Sequence, residues 1–194
     1  MHKTVKSFIV ISIITLIAAC STKVERHNFP DLTYTHLQRV DLDVAAIEVL
    51  QAYQPPLQHP NIEHETPISM LGTTATWAKD VFKSVGHSGT AKIIISEASI
   101  IEEPLSNNAS ITSTFTTEQS EKYISQLTVE IRIEDAFGGS ASSNATVSRS
   151  ITVPEDISLT DRERVWFDLI EDTVNDMNLK IRDGISKYLK DYLR

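Results

Sequence analysis

The chain has 194 residues, 41% of them hydrophobic, with one cysteine and 26 acidic against 18 basic residues. That length supports one core-forming domain, and a single thiol excludes a disulfide within the chain. The formal net charge of −8 opposes nucleic acid or an anionic bilayer as a direct partner, since both reward basic patches.

Lys3 and Lys6 precede residues 8–19, FIVISIITLIAA. This apolar run is about a dozen residues long, short of the roughly 20 a spanning helix needs. A basic flank, a short apolar core and small residues at its end predict a signal peptide over residues 1–19. Ile17, Ala18, Ala19 and Cys20 then resemble the bacterial lipobox. The resemblance implies diacylation of the Cys20 thiol, cleavage before Cys20 and acylation of the new amino terminus, with palmitate among the acyl groups. Several acyl chains at ~0.8 kcal/mol per buried CH₂ hold a protein on a bilayer. Ser21 follows in place of Asp, and by resemblance to sorted lipoproteins this favours the periplasmic face of the outer membrane over the inner membrane. Removing residues 1–19 takes away Lys3 and Lys6 and no acid, leaving 16 basic against 26 acidic residues and a net charge of about −10.

Residues 21–36, STKVERHNFPDLTYTH, are mostly polar and lack a helical or strand period. They read as a lipidated tether, 20–36, reaching at most ~55 Å at ~3.3–3.6 Å per residue. One domain, 37–194, follows. Val40, Leu42 and Val44 alternate with Asp41 and Asp43, a strand with one buried face. Ala45 and Ala46 shift the phase before Ile47 and Val49 resume it, as a bulge would. Residues 53–67 carry four prolines and predict an extended loop. Thr66 or Ser69 caps a helix whose stripe of Leu71, Thr74, Trp77, Ala78, Val81, Phe82 and Val85 reaches Gly86, a natural stop. Residues 91–101 are rich in β-branched types. From Tyr123 to Ile133 the alternation is the clearest in the chain, and after DAFGGS a return strand carries Ala141, Ala145, Val147, Ile151 and Val153. The small early positions leave room for a helix to lie close. Thr160 and Glu163 form a capping box for a helix of some thirty residues with Trp166, Ile170, Val174, Met177, Ile181, Ile185, Tyr188 and Tyr192 on its stripe. Gly184 is its weak point.

The order β-α-β-β-β-α, with one polar face per strand and one apolar stripe per helix, predicts an α+β two-layer sandwich. A four-stranded mixed sheet carries two helices on one face. This order, with the lipobox, resembles outer-membrane lipoproteins that assist lipopolysaccharide assembly and the auxiliary lipoproteins of ABC-type lipid transport. TWAKDVF, FTTEQSEKY and RSITVPEDISLTDRERVW also resemble a Gram-negative lipoprotein family to which no activity is attached.

No residue pattern spells out a chemistry. GHSG, residues 86–89, fails the nucleophile-elbow pattern because Thr90 stands where the last glycine belongs, and it joins helix to strand, the wrong way round. His59, Glu63, His64 and Glu65 share no spacing with a mononuclear metal site. Glu102 and Glu103 are adjacent, so they sit on opposite strand faces and cannot form an acid–base pair. Gly138 and Gly139 belong to a hairpin turn and not to a phosphate cradle. The expectation is no catalytic residue, no metal and no cofactor.

Two loops, 53–66 and 104–120, exceed the usual four to six residues. A parallel first crossover sends both from one end of the sheet, with the tether and the C-terminus at the other. Tyr53, Leu57, Ile62, Ile111 and Phe115 are their apolar contacts, set against the plainer reading that they pin the loops to the body. The resulting expectation is a non-enzymatic lipoprotein anchored through Cys20. It would serve as accessory subunit to a membrane protein in envelope assembly or lipid and lipopolysaccharide transport. The alternatives are an envelope-polymer hydrolase and a periplasmic carrier holding an acyl chain between sheet and helix.

Overall fold

The computed structural model describes residues 28–105 and 119–194. Two short strands, β1 (Val40–Leu42) and β2 (Ala46–Gln51), lead into helix α1 (Met70–Val81) and strand β3 (Phe82–Ser84). Three long strands follow, β4 (Thr90–Pro104), β5 (Gln119–Glu134) and β6 (Ser140–Pro154), and then helix α2 (Leu159–Tyr188) with a 3-10 turn at Lys190–Tyr192. The main sheet has the order β2-β4-β5-β6, parallel between β2 and β4 and antiparallel elsewhere. The fold is the expected α+β sandwich with a four-stranded mixed sheet and two helices.

Its core lies between the sheet and the helices. Ile93, Ile95, Leu127, Val129, Ile131 and Ile133 meet Trp77, Ile170, Val174, Met177 and Ile181, all fully buried. Burial of each such side chain is worth about 1.5–3 kcal/mol, so the filled interior dominates the stability. Two polar pairs cross it: Trp77 Nε1 donates to Asn178 Oδ1 at 3.2 Å, joining α1 to α2, and the hydroxyls of Ser125 and Thr173 lie 2.6 Å apart.

Several local expectations change. The phase shift at Ala45 and Ala46 is no bulge. There the chain leaves a small parallel pair, β1 with β3, and joins the main sheet as β2. That pair also shortens α1. Phe82 and Val85 continue the helical stripe in sequence, yet Phe82 pairs with Val40, and Val85 N donates to Leu42 O at 2.9 Å. Gly86 is therefore not a helix stop; a Cβ there would run into the backbone of Asp43 and Val44. The long helix is capped two residues before Thr160, by Ser158, whose Oγ accepts from Asp161 N at 3.1 Å. Tyr188 projects to solvent while Tyr192 packs against the core.

The segment read as tether is packed in its second half. Phe29 stacks on Phe167 of α2 with ring centroids 5.1 Å apart, and Leu32 and Leu37 pack on the core. Tyr34 is 2% exposed, and its backbone N–H donates to Asp80 Oδ2 of α1 at 2.8 Å. Burial pushes the Tyr34 phenol well above its ordinary value, with Glu171 adding to the effect. Arg182 Nη2 of α2 then donates to Gln38 O. The segment thus runs along α2 in the helix's own direction, from Phe167 to Arg182. It starts near the β4–β5 hairpin end of the sheet and not at the end where Arg194 N donates to Asp41 O.

Candidate partner-binding site

The proline-rich stretch after β2 lies along the part of β4 that β2 is too short to cover. Asn61 bridges to Ile101, Ile62 N donates to Ile100 O, and Glu102 N donates to Pro60 O, both at 2.9 Å. Glu63 Oε1 takes the place of a backbone acceptor. It receives Asn61 Nδ2 at 2.8 Å, Tyr53 OH at 2.9 Å and the backbone N–H of Ile100 at 3.0 Å. Burial, and then the bond to Glu63, push the Tyr53 phenol well above its ordinary value. This arrangement sorts the expected contacts. Ile62 has no exposed surface and serves the core, which corrects its assignment to a binding face. Tyr53 is half-buried with its hydroxyl engaged, and Leu57 is 65% exposed with a left-handed φ of 56°. Ile111 and Phe115, like Cys20, lie outside the described residues.

Of the neighbouring histidines and acids, Glu63 stands apart from the other three. His59 Nε2 and His64 Nε2 approach Glu65 Oε1 at 3.2 and 3.5 Å, while Glu63 turns inward to β4. Among the described residues no three His, Cys, Asp or Glu side chains are placed to hold a metal ion. A cleft of about 430 Å³ at the C-terminal end is lined by Arg39, Arg182, Asp183 and Arg194. Arg39 pairs with Asp41 and Arg194 with Asp43, so its charges are largely neutralised internally. Lack of hydration lowers the proton affinity of the Arg182 guanidinium.

The sequence reading missed one surface. The β5–β6 turn presents Phe137 with 96% of its area exposed. The turn beneath it is braced. Asp135 Oδ1 accepts from Phe137 N and Gly139 N, each at 2.8 Å, and Tyr192 OH donates to Asp135 Oδ2 at 3.2 Å. The N–H groups of Gly139 and Phe137 hold the Asp135 carboxyl below the usual carboxylate range. Gly138 adopts φ 86°, a conformation in which a side chain would be strained. DAFGGS marked a turn but carries no period, so nothing in the pattern separated Phe137 from an ordinary loop residue. An aromatic ring in solvent on a rigid support has little conformational freedom left to lose on docking. The chemistry of this site is apolar contact.

No protein-family model matches the chain, and no curated protein does. Solved structures are similar to it. A minor lipoprotein from Acinetobacter baumannii aligns at 15% identity with a TM-score of 0.38, covering 76% of this chain and 96% of that one. Rare lipoprotein B from Shewanella oneidensis aligns at 10% identity and 0.39, covering 73% and 94%. Lipoprotein B from Nitrosomonas europaea aligns at 12% identity and 0.39, covering 78% and 88%. Among the described residues, no helix of this chain is long and apolar enough to cross a membrane.

Proposed function

We propose that the protein is a non-enzymatic lipoprotein, acylated at Cys20 and held on the periplasmic face of the outer membrane. It acts there as an accessory subunit to a membrane protein in envelope assembly or in lipid or lipopolysaccharide transport. The observation that carries the accessory role is Phe137, 96% exposed on a turn fixed by Asp135. Isolated monomers gain nothing from such a ring, whereas aromatic anchors dominate many interfaces. Leu57, at 65% exposure, lies in the loop that runs to the other end of the sheet and belongs to a separate face. The filled space between sheet and helices, where Trp77, Leu127, Ile131 and Met177 are fully buried, favours an accessory role over an acyl-chain carrier.

The test is capture from crosslinked envelopes. A specific membrane protein should be recovered with the native chain and lost with Phe137→Ala, while Arg132→Glu on the outer sheet face changes nothing. Capture unaffected by Phe137→Ala would refute the assignment of the surface. The anchor is tested separately: Cys20→Ser should abolish uptake of labelled palmitate.

A further inference from the structure

We infer that the lipid anchor holds the β4–β5 hairpin end of the body toward the bilayer and points the Phe137 turn away from it. The inference rests on the proposed acylation of Cys20. It begins from where the described chain starts. Phe29 is stacked on Phe167, and the neighbouring Trp166 meets Tyr123 edge-to-face at 5.5 Å. Tyr123 lies four residues into β5, which begins at Gln119 next to the hairpin end and finishes at Glu134 beside the Phe137 turn. At ~3.3 Å per strand residue, Phe29 sits about 13 Å from the hairpin end and about 36 Å from Glu134.

Cys20 precedes Asn28 by eight residues, a span of at most about 26–29 Å when fully extended. That length is too short to carry the acyl chains back to the level of Phe137, even if the segment doubled back along the body. It is long enough to reach beyond the level of Gln119, where β5 begins. The direction of residues 29–38 agrees. They run from Phe167 toward Arg182, so their upstream end points at the hairpin pole. The contacts of Leu32, Tyr34 and Leu37 with the body prevent this segment from swinging round as a free tether would.

The surface at that pole fits a zwitterionic phospholipid headgroup layer. Among the described residues there, Leu57 and Leu159 are 65% and 63% exposed, beside the exposed acids Glu103, Glu155 and Asp156 and the exposed Arg164. An anionic layer would be repelled by those acids, while a zwitterionic one accepts both the apolar side chains and the carboxylates. A partner gripping Phe137 is then reached on the side of the body turned away from the membrane.

The experiment uses the acylated full-length mature protein in phosphatidylcholine vesicles carrying a headgroup-level nitroxide quencher. A fluorophore is placed on Asp156→Cys at the hairpin pole or on Ala136→Cys beside the Phe137 turn, both exposed positions. Quenching at 156 should exceed that at 136 severalfold. Equal quenching, stronger quenching at 136, or none at either site in an acylated sample overturns the orientation. Mass spectrometry of the same sample separates the two claims, because a protein without acyl groups fails the lipidation reading and the orientation falls with it.

Discussion

Gly184 of α2 passes over Ser143 of β6 so closely that a Cβ on the glycine would overlap the serine hydroxyl, which is itself buried and without a hydrogen-bond partner. The helix is thereby allowed to lie low on the end of the sheet where Ala141 and Ala145 are also small. Intrinsic propensity alone makes Gly184→Ala stabilising by about 1 kcal/mol. Overpacking a filled core costs about 1–3 kcal/mol, so the single variant should be neutral to destabilising. Ser143→Ala removes both the obstacle and an unsatisfied hydroxyl. The double variant should therefore melt above the native protein, by a few degrees for about 1 kcal/mol. Additive effects in the two single variants would show that the overlap is relieved by movement elsewhere.

A second expectation concerns the bond that ties the two helices. Asn178→Leu leaves the buried indole N–H of Trp77 without its acceptor, at a cost of about 1–3 kcal/mol. Trp77→Phe in the same background should recover part of that loss. Urea denaturation of the four proteins of the cycle reads the coupling directly.

At the open flank of β4, Glu63 Oε1 serves three donors at once. Glu63→Ala should destabilise by about 2–3 kcal/mol, since the N–H of Ile100 loses its partner along with the hydrogen bonds to a charged group. Tyr53→Phe, which removes one of the three, should cost about 1 kcal/mol. If Tyr53→Phe costs as much as Glu63→Ala, the carboxylate is not the centre of the arrangement.

The Phe137 turn has a pH signature. Its Asp135 carboxyl titrates below its unfolded value of 3.8, held there chiefly by Gly139 N–H and Phe137 N–H. A depressed folded-state value means that its contribution is present above the unfolded value and is lost as pH falls through the folded one. The turn should therefore stay ordered at pH 5 and loosen only in stronger acid, seen as faster exchange of the Phe137 and Gly139 amides after correction for the intrinsic rate. Asp135→Ala should show the same loosening at neutral pH. Phe137→Ala should leave the melting temperature unchanged, because the ring touches so little.

What could be read from sequence follows the range of the interactions. Strands over 123–133 and 141–153 and the helix after Pro154 announce themselves by a strict period, because one face of each is buried along its whole length. The end of α1 is illegible for the opposite reason. Phe82 and Val85 fit the helical stripe, and only the parallel partner forty residues upstream, Val40–Leu42, turns them into a strand. The docking of residues 28–36 escaped in the same way. Phe29, Leu32 and Tyr34 follow no regular spacing, since they fit a groove between two helices and do not form an element of their own. Among the expected contacts, Ile62 showed its apolar character but not its destination. A strand too short to cover its neighbour drew the loop, and Ile62 with it, into the core.

The closure of β1 has a kinetic consequence. Leu42 bridges to Leu193, Asp43 N donates to Tyr192 O, and Arg194 pairs with Asp43 across 151 residues of sequence. Contacts of such separation carry the largest loop-closure cost, so they form after the local helix and hairpins are in place. A chain that emerges residue by residue would assemble its β4–β5–β6 meander and α2 first, and fasten β1 only once Arg194 had emerged. Late-forming contacts of this kind govern how fast a folded protein opens and hardly affect how fast it folds. The clasp at Asp43 would then set the lifetime of the folded body.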